Sequence, residues 1–273
     1  MSAVIASPQR PPRQPALTGV LSGPRMLIER HLLIYRHTWN LLLAEILEPV
    51  LYLFSIGVGI GKLVGHIPGL GAADISYSSY VAPALLATAA MNGAMNETTF
   101  NMFSKLKLQK TYDSILATPM TVRDVALGEV GWALLRGVLV STSFLVVIAV
   151  FGMAHSPWVL LVPFAAALIG FAFASAGLVV VTLLRNWQDF QFIQLAMLPM
   201  FLFATTFYPL SVYPRAIQIL VECLPLYQSI ELIRGVALGQ TGPALLLPVL
   251  YLLVLGAVAV RIALPRMQGL LLH

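Results

Sequence analysis

Six stretches of this chain are dominated by apolar residues, with few charges to interrupt them: 41–62, 79–100, 130–151, 158–184, 190–208 and 244–264. Each approaches or exceeds the length of helix, about 20 residues, that crosses the hydrocarbon layer of a bilayer. The pattern predicts an all-α integral membrane protein with six transmembrane helices. What interrupts those helices must then carry the function.

Between the long runs the periodicity changes. In 24–40, Leu27, His31 and Ile34 recur at helical spacing with Arg25, Glu29 and Arg36 interleaved, which predicts an amphipathic helix lying at the membrane interface. In 104–124, Leu108, Tyr112, Ile115, Leu116 and Met120 fall on one helical face, and Thr118-Pro119 ends the helix. A one-sided apolar helix in a loop needs a surface, either the membrane or a partner protein. The segment 207–243 is divided by Pro209, Pro214, Pro225 and Pro243 into two stretches, 215–223 and 226–238. Both are too short to span and too apolar for a solvated loop, so they predict a re-entrant helical pair on the outer side, between spans five and six.

Charge fixes the expected orientation. Twelve of the 16 Lys and Arg residues fall on one side: five before the first span, four in 105–123, then Arg185, Arg261 and Arg266. The positive-inside rule places both termini in the cytoplasm. The net charge of +5 thus reflects topology and contact with anionic membrane lipids, with no nucleic acid required. Residues 1–23, rich in Pro and Arg at their start, predict a disordered cytoplasmic tail, and 24–273 form one membrane domain. Cys223 is the single cysteine, so no intramolecular disulfide forms.

Several polar or small residues inside the spans are candidates for function. Thr88, Asn92 and Asn96 form a stripe at four-residue steps, serving either hydrogen bonds between helices or a wall facing substrate. Phe201, Phe203 and Phe207 cluster at the outer end of the fifth span, as an exit gate, a stacking surface for sugars or an interfacial aromatic belt. Glu129 and Arg136, seven apart, either pair across two turns or sit near the inner interface. Glu231 and Arg234 can pair on one turn. Gly57, Gly61 and Gly65 mark close helix approach, at a dimer contact or within one subunit.

Chemistry of other kinds is missing from the sequence. Gly61-Lys62 is followed by Leu63, so the phosphate-cradling loop pattern fails, and no nucleophile elbow or metal-binding cluster of His or Cys appears. The five histidines lie in expected tails or loops and read as interfacial side chains. The chain is not expected to be an enzyme by itself.

In the order of its parts the chain resembles the permease subunit of type-2 ABC exporters, above all the branch with nodulation-factor and antibiotic export permeases. The resemblance covers about residues 25 to 268. It is carried by Glu48-Pro49 leading into 57–61, by Thr111-Tyr112-Asp113-Ser114-Ile115-Leu116-Ala117-Thr118-Pro119-Met120, and by Phe207-Tyr208-Pro209-Leu210 through Pro225-Leu226 to Glu231-Leu232-Ile233-Arg234-Gly235. It implies that the loop helix, with Leu106, Leu108, Tyr112, Ile115, Leu116 and Pro119, couples to a separate nucleotide-binding ATPase subunit. It also implies a second permease subunit, identical or homologous, and a place in the bacterial inner membrane. No cofactor is expected on this chain; ATP and magnesium belong to the partner subunit. The expected function is export of an amphipathic substrate such as a drug, lipid or lipid-linked glycan. A polysaccharide or glycolipid channel, or a non-transporting membrane anchor for an ATPase, are the alternatives.

Overall fold

The structure, a computed structural model, describes residues 22–37, 39–64, 76–152, 156–240 and 242–271. Among the described residues every regular element is a helix. The expected tail lies outside them except for Ser22 and Gly23, which open the first helix, and Gly65 also lies outside.

Helix α1 (Ser22–Tyr35) buries Leu27 and His31 against α6 (Val122–Val150). Glycines on α6 make room for it: a Cβ on Gly128 would come within 2.7 Å of Leu27. Met26, Leu32 and Leu33 on its other sides stay exposed. The first apolar run forms α2 (Trp39–Tyr52), which passes through a π-helical stretch, Leu53–Ile60, into α3 (Gly61–Val64). Pro49 sits inside α2 and lacks the N–H of a regular turn, and the hydrogen-bond register shifts four residues later.

The second run is α4 (Tyr77–Asn96), buried along most of its length. It continues through π-helical turns at Glu97–Asn101 and Ser104–Leu108, well past the apolar run. Lys110, with φ of +47°, then breaks the chain direction before the short α5 (Thr111–Leu116). Sequence periodicity expected one helical face from Leu108 to Met120; the left-handed turn instead separates Leu108 from α5.

Helix α6 begins at Val122, eight residues before the apolar run it contains. Thr121 and Asp124 form a reciprocal cap, with the Asp124 carboxylate accepting from the Thr121 N–H at 2.8 Å. Helix α7 (Val162–Val181) occupies the centre, packed against α4, α6 and α11 (Leu246–Leu271). It is apolar on every side, as a surrounded helix must be. Gly177 lets it approach the turn after α4 so closely that a methyl group there would collide with Thr98.

Helix α8 (Phe190–Phe203) contains no buried residue. It stops five residues short of the expected end, where Thr205 takes φ of +60°. Helices α9 (Arg215–Glu222) and α10 (Pro225–Ala237) follow and meet at 83°. Val122–Val150, Pro157–Val181 and Pro243–Leu271 are each long and apolar enough, as single helices, to cross a membrane.

Candidate functional site

The most unusual feature of this apolar molecule is a buried group of charges where α1, α2, α4, α5 and α6 converge. Glu129 on α6 is fully enclosed. Its carboxylate accepts from Lys105 Nζ at 2.8 Å, from the Tyr112 hydroxyl of α5 at 2.9 Å, and lies 3.3 Å from His31 Nε2 of α1. Lys105 also donates to Glu97 at 3.2 Å. Glu97 in turn accepts from Asn101 at 2.7 Å and from an Arg136 guanidinium N–H. Arg136 completes the line by donating through Nε to Glu45 of α2 at 3.1 Å and through a second N–H to the same carboxylate.

These contacts form one connected path: Tyr112, Glu129, Lys105, Glu97, Arg136, Glu45. Burying an ion costs several kcal/mol, and only multiple partners on each charge offset that cost. Here each of Glu129, Glu97 and Arg136 has at least two. Aromatic rings close the group from the side. His31 stacks on Trp132 with centroids 5.2 Å apart, and Arg136 lies 5.0 Å from the Tyr35 ring centroid. Burial, reinforced by the Glu129 charge, pushes the Tyr112 phenol well above its ordinary pKa, so it stays protonated and donates.

Glu45 at the end of this path also lines a cavity of about 370 Å³. Its wall brings together Thr88, Asn92, Asn96 and Phe201 with Glu48, Tyr52 and Gln194. The polar stripe of α4 and one of the three candidate phenylalanines therefore share a site. Phe207 stands behind it, edge-on to Phe201 at 5.3 Å, whereas Phe203 points away and packs beside Tyr213. Thr88 gives its hydroxyl to the Ala84 carbonyl at 2.9 Å.

Three expectations need correction. Glu129 and Arg136 do not pair with each other, because Lys105 and Glu97 stand between them and give each a nearer partner. Both are enclosed by the surrounding helices. The apolar face of the loop helix is not free: Tyr112 is 1% exposed, and Leu106, Ile115, Leu116 and Met120 pack against the chain's own core. The outward face carries Leu108, Asp113, Ser114 and Pro119 instead. His31 is a buried member of the network rather than an interfacial side chain.

Gly57 and Gly61 face the start of α4, with a Cβ on each coming to 3.7 Å from Ser78 and Tyr77 respectively. That is packing within one subunit. At the same end of α4, Glu231 and Arg234 do pair, at 3.0 Å. Arg234 also donates to the Thr205 carbonyl at 2.9 Å and lies 3.9 Å from the Tyr80 ring centroid.

Sequence reasoning missed Glu45, Lys105 and His31 as network members. A signal existed for His31, which shares the apolar stripe of α1 with Leu27. Another existed for Glu45, an acid inside an apolar run, where a charge needs a partner.

Comparison with known proteins adds an independent finding. Residues 25–238 match the ABC-2 type transporter family. The chain is 36% identical to nodulation protein J of Rhizobium leguminosarum bv. viciae over 200 residues, 73% of this chain and 75% of that protein. It is 37% identical over 202 residues to nodulation protein J of Sinorhizobium fredii, covering 74% and 75%. With the protein of the same name from Neorhizobium galegae it shares 33% identity over 227 residues, 82% of each chain.

Proposed function

The chain belongs to the ABC-2 type transporter family, and on that premise we propose that it is the membrane subunit of an ATP-driven exporter of amphipathic molecules. A separate ATPase subunit would bind ATP and magnesium, and a second permease subunit would complete the membrane pathway. The observation that carries this reading is the connected line of charges from Tyr112 in the α5 loop to Glu45 in the cavity wall.

Such a line has a mechanical consequence. A partner that presses on the outward face of α5 moves Tyr112, and Tyr112 is bonded to the root of α6. Glu129 cannot follow without dragging Lys105, and Arg136 is held by two carboxylates on different elements. A displacement in the loop therefore reaches the cavity as a rearrangement of charges rather than as a diffuse strain. Two arrangements of this network, each favoured by one state of the ATPase, would supply the differential contacts that population shift requires. The packed α1 adds a second lever, since its His31 bonds to the same carboxylate.

Six crossings with both termini in the cytoplasm fit the basic-residue asymmetry, and the sharply bent α9–α10 pair fits a re-entrant element on the outer side. The inner membrane of a bacterium is the matching compartment.

Purified chain, co-reconstituted with its ATPase into sealed vesicles, should move a labelled amphiphile only when ATP is hydrolysed. Hydrolysis that proceeds with no vectorial movement of any amphiphile would favour the membrane-anchor alternative. For topology, in a Cys223→Ser background, Ser211→Cys should react with an impermeant thiol reagent on intact cells and Gln268→Cys should not. Outer labelling at 268 would overturn the orientation.

A further inference from the structure

Of the side chains lining the cavity, Glu48, Asn92, Asn96 and Gln194 have no hydrogen-bond or ion-pair partner among the described residues. Four open polar groups converging between apolar helices are costly unless water or a ligand meets them. Among the described residues no Lys, Arg or His lines this cavity. Arg136, the nearest cation in the network, is committed to Glu45 and Glu97 behind the wall. A carboxylate only accepts hydrogen bonds, so Glu48 makes the site negative, beside three amides that can both donate and accept. Tyr52 and Phe201, with ring centroids 6.3 Å apart, add aromatic surface of the kind that attracts cations.

We propose that this cavity selects amphipathic molecules with a cationic or donor-rich neutral head and rejects anionic ones, with Glu48 as the selecting residue. The inference rests on the transport reading above and names the substrate class it would serve. The volume of about 370 Å³ suits a head group and the first part of a chain, with Leu85, Met91 and Leu198 forming the apolar side. Glu45 cannot play the same part, because its charge is already matched by Arg136. Glu48 is exposed and unpaired, so replacing it removes a ligand contact and no internal one.

The test is equilibrium binding to the purified full chain in phosphatidylcholine nanodiscs. The probes are dodecyl amphiphiles with one neutral fluorophore and differing only in the head: trimethylammonium, hydroxyl or sulfonate. Empty discs give the lipid background. The wild-type chain should bind in the order trimethylammonium, hydroxyl, sulfonate, with the extremes differing about tenfold. Glu48→Gln should shrink that ratio about fivefold, the upper end of what an exposed ion pair supplies. Glu48→Lys should invert the order. Equal binding of cation and anion by the wild type, or a ratio untouched by Glu48→Gln, would overturn the proposal. A separate transport assay on the assembled complex keeps the two readings apart. Selective binding without ATP-dependent movement removes the exporter and leaves the site, whereas movement without charge preference does the reverse.

Discussion

Two arginines are buried to the same degree, 5% exposed each, at opposite ends of α4, yet they are held in different ways. Arg136 meets two carboxylates from different elements and lies near an aromatic ring. Arg234 has one half-exposed carboxylate, Glu231, together with a carbonyl and a ring, and its Nε finds no partner. The first is a junction: removing it takes the cation from two acids at once, the buried Glu97 and the part-exposed Glu45. The second is a clasp on the chain reversal after α8, and its acid can turn to water. Burial alone does not rank these residues, but the number and burial of their counter-charges does.

The largest expected effect follows directly. Arg136→Met should cost about 3–5 kcal/mol of stability in detergent, the usual penalty for breaking a buried ion network from one side. Arg136→Lys, which keeps the charge, should recover much of it. Chemical denaturation of both variants checks this.

Tyr112→Phe comes next, removing one hydrogen bond to the buried Glu129 carboxylate at a cost of about 1.5–3 kcal/mol. Its phenol pKa is raised on folding, so the contribution is fully present below the unfolded value of about 10 and is lost only as pH rises through the folded one. Stability measured at neutral and at mildly alkaline pH should show the same deficit relative to wild type.

Arg234→Met should cost less, about 1–2 kcal/mol, because the partner acid is solvated and the carbonyl can rebond. A loss equal to that of Arg136→Met would break the contrast between junction and clasp. The smallest effect on stability belongs to Leu108→Ala, within about 0.5 kcal/mol for an exposed side chain. That same variant should weaken association with the ATPase subunit, measured by co-purification, because Leu108 lies on the outward face of the loop.

The contrast also explains what sequence can and cannot reveal. The limits of α9 and α10 are legible because Pro214 and Pro225 stand at their starts, where a residue without an N–H is tolerated. The start of α6 is hidden from hydropathy by Arg123, Asp124 and Glu129; only the Thr121-x-x-Asp124 cap announces it. Nothing in Ala204-Thr205-Thr206 signals the early end of α8. The cavity was half visible, since Asn92 and Asn96 recur on one face, but its Glu48 and Gln194 come from other helices.

The charged network was mostly invisible for the same reason. Each acid and base can be read as a cost within its own segment, but the pairing that resolves the cost spans 24 residues for Lys105 with Glu129 and 98 for His31 with Glu129. A local pattern therefore proposes the nearest partner, as it does for Glu129 and Arg136. For Glu231 and Arg234, one turn apart, the local pattern and the fold agree.

A network that joins the α5 loop to the cavity should couple its two ends energetically. The most direct test is a double-mutant cycle between Tyr112→Phe and Glu45→Gln, at the two ends of the line, read as substrate moved per ATP hydrolysed by the reconstituted complex. Each single variant should lower the ratio and the double variant should fall little further, a coupling of about 1 kcal/mol or more. Effects that simply multiply, with any coupling below about 0.5 kcal/mol, would contradict it.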